Sequence, residues 1–349
     1  MQPTKLLSIS AQTAFAQVAE ATLATEHFRT VGSLPGSFTS KTVKGHKYWY
    51  YQLTEPSGAR RQIFVGPDNE AVRVLVATKS ERVIDQNVLA LTRAALALGC
   101  GAIHPRHFKV LHRLSDYGFF QAGGVLIGTH AFIAYGNMLG VQWSGTDASR
   151  TQDIDFAHAG KSISLALASD FKVQTHEAIQ SLEMGFLPIT GMAGKTGGAY
   201  LIPNEKEFRL DFLTTVGRSG ETPYEHPDLH VTLQPLKFME FSLEDVQQTA
   251  LLSTRGVILV NVPHPARYAL HKLIVAGERT GVFAVKSGKD IMQAGLILGA
   301  LREISPWEVE KAWQDLTGRG EGWRSRAQRG IVTLDRMFPS ECFGKWFTP

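Results

Sequence analysis

The chain has 349 residues, 36 Lys and Arg against 32 Asp and Glu for a net charge of +4, and 44% hydrophobic residues. That composition gives a globular chain ample material for a core, and the length admits two or three domains. It contains no run approaching the roughly 18 apolar residues of a membrane span, since the richest stretch, Val88 to Gly99, carries Arg93 at its centre. The opening residues MQPTKLLSISAQTAFAQ hold one early Lys and no apolar h-region, so a cytoplasmic protein with no membrane partner is expected. Two cysteines, Cys100 and Cys342, are too few for a Cys-rich zinc site and are expected to remain unpaired in a reducing compartment. The small positive charge permits a nucleotide or nucleic-acid partner without demanding one.

In chain order, residues 8–29 read as a helix, followed by a Gly- and Ser-rich break at 32–40. KTVKGHKYWYYQL and RRQIFVG then read as the two strands of a β-hairpin joined through Pro-Ser-Gly. Helix returns from Asn69 to about Gly99, as one element or two, and again from Pro105 to Tyr117. A boundary is placed near Ser115. From Gly123 to Val262 strands and helices alternate: strand at 125–127, helix at 129–138, strand at 152–156, helix at 175–184, strands at 200–203 and 208–214 around an NEKE turn, and strand at 257–262. The remainder reads as four helices, 265–276, 289–303, 306–316 and 322–338. The expected divisions are 1–115, an N-terminal helical region with a β-hairpin; 116–263, a mixed-sheet core; and 264–349, a helical C-terminal domain.

The chemistry is concentrated in the middle third. Asp153 and Asp155 are i and i+2 on an expected strand, so both carboxylates project from one face. Like charges that close repel unless a cation lies between them, and Mg²⁺ is typically held by one or two carboxylates plus the phosphates of a substrate. Gly128 turns a strand into a helix whose free N–H groups suit a phosphate, and Thr129 adds a hydroxyl there. A third carboxylate on an adjacent strand is supplied by Asp211 in EFRLDFLT, which fits a two-metal arrangement with ions about 3.5–4 Å apart. Together these are a clamp for a divalent cation and a triphosphate.

Gly128-Thr129, Asp153-Ile154-Asp155-Phe156 and the later strand acid Asp211 resemble the signature of the DNA polymerase β-like nucleotidyltransferase superfamily. YWYYQ, QIFVGP, LIGTHAF, TQDIDFA and PHPARYALHKLIVAGER are similar to landmarks of a bacterial branch of predicted nucleotidyltransferase-fold proteins of unassigned substrate, over most of the chain. Position 129 is Thr where the general pattern has Gly or Ser, and the connection from Gly128 to Asp153 is long. The resemblance implies an α/β (α+β) fold and Mg²⁺-dependent transfer of a nucleoside monophosphate from an NTP to an acceptor hydroxyl, with Mn²⁺ as the alternative ion. It assigns Asp153, Asp155 and Asp211 as catalytic metal ligands, and Gly128 and Thr129 as phosphate contacts. Arg267, Lys272 and Lys289 fall in the matched segment as a basic face beside the cleft, for a triphosphate or a nucleic-acid acceptor. The acceptor classes left open include RNA, a tRNA end and protein. The alternatives are a nucleotide- or RNA-binding protein on the same scaffold that does not catalyse, and a toxin- or defence-system component acting through protein contacts.

Other motifs are read more plainly. GMAGKT at 191–196 lacks the first glycine and the following helix of a phosphate loop, so a glycine-rich connection is expected, with Lys195 within reach of a phosphate. HPDLH, His264 and His271 are expected to be structural rather than zinc ligands. The aromatic run Tyr48 to Tyr51 either covers a core or stacks bases.

Overall fold

The computed structural model describes residues 4–27, 35–55, 57–80, 86–143, 151, 153–158, 173–190, 196–216, 220, 222–279 and 284–347. It begins with β1 (Thr4–Leu6) and α1 (Ile9–His27), then β2 (Gly36–Val43), β3 (His46–Thr54) and β4 (Arg60–Pro67), followed by α2 (Glu70–Ser80), α3 (Gln86–Ala97) and α4 (Pro105–Asp116). The middle of the chain supplies β5 (Gly124–Ile127), α5 (Gly128–Met138), β6 (Val141–Trp143), β7 (Ile154–His158), α6 (Thr175–Gln180), β8 (Leu187–Thr190), β9 (Thr196–Ile202) and β10 (Glu205–Thr215). It continues with β11 (Tyr224–His226), β12 (Val231–Leu236), α7 (Met239–Leu243), β13 (Val246–Ser253) and β14 (Gly256–Pro263). Helices α8 (Pro265–Glu278), α9 (Ala284–Ile304), α10 (Pro306–Gly318), α11 (Glu321–Met337) and α12 (Phe343–Phe347) complete it. This is the expected α/β class, and none of the described helices is long and apolar enough to cross a membrane.

The central sheet runs β11-β12-β10-β7-β5, with β9 also on β10 and β8 on β9. Strand β10 is parallel to β7 and β12, whereas β5 is antiparallel to β7. The pattern I-D-F on β7 and L-D-F on β10 explains the packing. Ile154, Phe156, Leu210 and Phe212 are fully buried in the main core, where Phe156 and Phe212 stack with centroids 4.9 Å apart, leaving the acids on the other face. Fully burying one such side chain contributes about 1.5–3 kcal/mol.

Two helices that frame the site start with the same device. His104-Pro105 opens α4 and His264-Pro265 opens α8, and in each the His Nδ1 accepts from the backbone N–H two residues on, at 3.2 Å. Pro occupies the first turn, where its missing N–H costs nothing. Helix α4 buries His107, Phe108, Val110, Leu111, Leu114 and Ser115, a stripe at helical spacing, and turns Arg106, Lys109 and Arg113 outward. Asn261 on β14 is fully buried and donates to the carbonyls of Phe120 and Gly124 at 2.6 and 2.8 Å, fixing the chain where it enters β5.

Several expectations change. The break expected at 32–40 is strand from Gly36 onward, and the hairpin is a three-stranded antiparallel sheet. KTVKGHK is divided by Lys44 and Gly45, at φ 50° and 80°, a two-residue turn of the type that matches strand twist. The turn before β10 is Pro203-Asn204, so the Glu-Lys-Glu of NEKE lies within the strand. The helix expected to reach Met184 ends at Gln180, and strand β7 starts at Ile154 rather than residue 152. Strands β8, β11, β12 and β13 lie where only connections had been expected. Both cysteines are free, Cys100 buried and Cys342 exposed.

Candidate active site

A single rung of the central sheet builds the site. Ile127 on β5 opposes Asp155 on β7, Asp155 opposes Asp211 on β10, and Asp211 opposes Ala199 on β9. Residues side by side on a rung point to the same face, so the Asp155 and Asp211 carboxylates share one side of the sheet. Asp211 is also the last residue of β10 opposed by β9, since from Leu213 the neighbour is β12. Gly198 makes that change of partner feasible. A Cβ there would come within 2.8 Å of the Phe212 carbonyl oxygen and 2.9 Å of that of Thr232. Asp153 lies just before β7, exposed to solvent, and its charge acts on Asp155.

Gly128 caps this arrangement. Its φ of +63° lies in the left-handed region, and a Cβ on it would fall 2.0 Å from Asp155 Oδ2. Only glycine lets the carboxylate lie against the start of α5. The cap residue, Ile127, makes no side-chain hydrogen bond to the first-turn N–H groups. Thr129 is 5% exposed and His130 fully buried, with His130 Nε2 2.9 Å from His107 Nδ1. Burial holds both rings neutral, His130 at a pKa of about 3 and His107 at about 4.

The electrostatics of the rung are strained in a specific way. Burial, then repulsion from Asp211 and Asp153, raises the Asp155 pKa to about 6, against the opposing pull of Lys272 and Lys289. Asp211 is relieved differently: Arg209, two residues earlier on the same strand face, places its guanidinium 2.6 Å from Asp211 Oδ1. Among the described residues no three His, Cys, Asp or Glu side chains stand close enough to hold a metal ion. Two carboxylates side by side on one face are nevertheless the donor set a hard cation takes when it completes its shell with phosphate oxygens.

Helices α8 and α9 form the opposite wall. Tyr268 donates its hydroxyl to the Gly128 carbonyl at 2.7 Å and lies 3.3 Å from the Gln293 side-chain oxygen. Lys272 pairs with Asp290 at 2.5 Å, and Arg279 pairs with the same carboxylate. Burial alone would raise the Asp290 pKa, but the two cations outweigh it and hold it below the ordinary value. Between this wall and the sheet lies a cavity of ≈ 390 Å³ that includes Ile127, Gly128, Phe238, Met239, His271 and Lys272 in its lining. It is within the size range of small-molecule sites. His271 Nε2 is buried without a partner, and burial lowers its pKa to about 4.

Of the residues singled out from sequence, Gly128, Asp153, Asp155, Asp211 and Lys272 are brought together, and exposed Lys289 acts on Asp155 from α9. Thr129 follows Gly128 but is buried. Arg267 is turned elsewhere. Its guanidinium donates to the Phe241 carbonyl at 3.0 Å and pairs with Glu244 and Asp315, tying α8 to α7 and α10. Lys195 and residues 191–194 of GMAGKT lie outside the described residues. Sequence reading missed Arg209, Tyr268, Asp290 and Gln293. Arg209 was recoverable, since R-L-D on a strand puts it on the same face as Asp211. Nothing local marks Tyr268 or Gln293, whose roles depend on how two helices dock.

No curated protein matches the chain. Among solved structures, an antigenic nucleotidyltransferase-like protein from Paracoccidioides brasiliensis aligns at 14% identity and a TM-score of 0.31, over 65% of this chain and 94% of that one. A family model described as nucleotidyltransferase matches residues 106–318, from α4 through the end of α10. That span is well over half of the sequence and contains the whole carboxylate rung, the Gly128 turn and the α8–α9 wall, so this chain belongs to the nucleotidyltransferase family.

Proposed function

We propose that the protein transfers a nucleoside monophosphate from an NTP to an acceptor hydroxyl, with release of pyrophosphate. The observation that carries this reading is the register of Asp211 against Asp155 beneath Gly128. Asp155 and Asp211, assisted by Asp153, are the ligands for Mg²⁺ or Mn²⁺. Such an ion would neutralise charge on the phosphates and favour the ionised acceptor oxygen. The first turn of α5 offers N–H groups and the positive end of its dipole to phosphate oxygens. Lys272 and Lys289 supply positive charge from the other wall. The largely apolar cavity beside Gly128 takes the nucleoside and excludes water around the reacting phosphate. Asp211, between Asp155 and Ala199 on the rung, is the candidate to accept the proton of the acceptor hydroxyl. In-line transfer asks little more of a protein than position and charge.

One observation favours a second reading. The Arg209–Asp211 ion pair occupies an oxygen that a metal would need. A protein that binds NTP without turnover on this scaffold would keep that pair closed. The two readings separate in a label-transfer assay. Purified protein is mixed with each α-labelled NTP, Mg²⁺ or Mn²⁺, and total RNA or lysate protein, beside an Asp155→Asn/Asp211→Asn variant. Label on an acceptor with the wild type only supports transfer and identifies the acceptor class. NTP binding with no label under any condition supports the binding scaffold.

A further inference from the structure

The three-stranded β2-β3-β4 sheet has two different faces. Phe38, Tyr51, Leu53, Ile63 and Val65 pack together on one, with Tyr51 fully buried. The alternate residues form the other: Ser37, Thr39 and Lys41 on β2, Tyr48, Tyr50 and Gln52 on β3, and Arg60, Gln62 and Phe64 on β4. Its centre is aromatic. Phe64 is 59% exposed, with Tyr50 and Tyr48 at 5.5 and 6.2 Å between ring centroids. Lys41 is 2.6 Å from the Gln62 side-chain oxygen and 5.1 Å from the Tyr50 ring centre, so its ammonium is held over this face.

Charge indicates what such a face would receive. Between Gly36 and Pro67 the sequence has five cations (Lys41, Lys44, Lys47, Arg60, Arg61) and one acid, Glu55, which pairs with Arg61. The surplus of four equals the net charge of the entire chain, so the rest of the molecule is neutral on balance. Among the described residues of the three strands, none on the aromatic face is an acid. Flat rings flanked by cations and by neutral hydroxyl and amide groups match a strand of bases on a phosphate backbone.

We propose that this outer face, Tyr48, Tyr50 and Phe64 bordered by Lys41 and Arg60, binds single-stranded nucleic acid by stacking its bases. The site lies outside the catalytic rung and does not depend on whether the rung transfers nucleotides. The test is fluorescence anisotropy with labelled oligo(U) RNA and oligo(dT) DNA of about 12 nucleotides, without NTP, at about 50 and about 200 mM salt. The wild type is expected to bind, roughly tenfold more weakly at the higher salt. Phe64→Ala should weaken binding by roughly tenfold or more, and Phe64→Trp should preserve it. Because Phe64 is exposed, circular dichroism should be unchanged in both variants. Asp155→Asn/Asp211→Asn should bind like the wild type even if all transfer is lost. A preference between the two oligomers identifies the strand type and supports the proposal either way. Failure to bind either at low salt overturns it. So does binding unchanged in both Phe64→Ala and Lys41→Ala, or a protein partner lost on Phe64→Ala in the absence of oligonucleotide binding.

Discussion

The Tyr268 hydroxyl donates to the carbonyl of Gly128 across 2.7 Å, so α8 holds in place the turn against which Asp155 lies. Tyr268→Phe removes that donor and leaves the Gly128 carbonyl to the helical N–H of α5 alone. A loss of about 0.5–1.5 kcal/mol in unfolding free energy is expected. If the turn orients phosphates, KM for NTP should rise more than stability alone accounts for. Denaturant titration and steady-state kinetics on the same preparations check both.

Gly128→Ala tests the contact from the other side. Alanine in the left-handed region costs about 1–2 kcal/mol, and its Cβ meets Asp155 Oδ2 besides. The substitution should abolish transfer and destabilise the fold. In an Asp155→Gly background the steric part disappears, so the cost of Gly128→Ala should shrink by about 0.5–3 kcal/mol in a double-mutant cycle. Strict additivity would mean that the two groups do not touch in solution.

Asp155 should make the metal-free protein less stable at neutral pH than it need be. Its folded pKa of about 6 lies above the ordinary aspartate value of 3.8, so the native state binds this proton more tightly than the unfolded chain does. Stability therefore falls as pH rises through the interval from about 4 to about 6, and the penalty is complete above it. Asp155→Asn should raise unfolding free energy by up to about 3 kcal/mol at pH ~7.5, and the gain should fade below pH ~4. Thermal melts of both proteins across that range in chelator supply the measurement. Added Mg²⁺ should stabilise the wild type and not the variant.

Arg209→Gln frees the Asp211 carboxylate from its 2.6 Å ion pair. With that cation gone, the acidic rung should bind Mn²⁺ more tightly, and the metal-free protein should melt lower. Calorimetric titration with Mn²⁺ reads the first effect directly. An unchanged or weaker Mn²⁺ affinity would show that Arg209 is not competing with a cation at this position.

How far the sequence discloses the site depends on what each residue answers to. Asp155 and Asp211 are legible because each lies between large apolar residues, in I-D-F and L-D-F, and an acid there has to be excused by function. Gly128 is legible because a strand breaks into a helix at a glycine. Tyr268 and Gln293 are not, because nothing in PHPARYALHK distinguishes a tyrosine that packs from one that reaches another element. Arg267 shows the converse. Beside Lys272 in sequence it looks like part of one basic face, yet helical geometry sends it to Glu244 and Asp315. The β13 strand was hidden because VQQTALLS lacks alternation, its last five residues all being buried. The Lys44-Gly45 turn was hidden inside a strand-prone run, since Lys is an unusual residue at positive φ.

The four-strand rung of Ile127, Asp155, Asp211 and Ala199 also sets a rule for what kinds of change the protein can absorb. The carboxylates meet by lateral hydrogen-bonded register, and the length of chain between them plays no part in it. Residues added to a connecting segment leave the acids where they are, at a cost that grows only logarithmically with length. One residue inserted within β7 or β10 rotates every later side chain to the opposite face. Relatives should therefore differ freely in the spans separating the motifs, while the five residues of β7 and the stretch of β10 beside them admit substitution but no insertion or deletion.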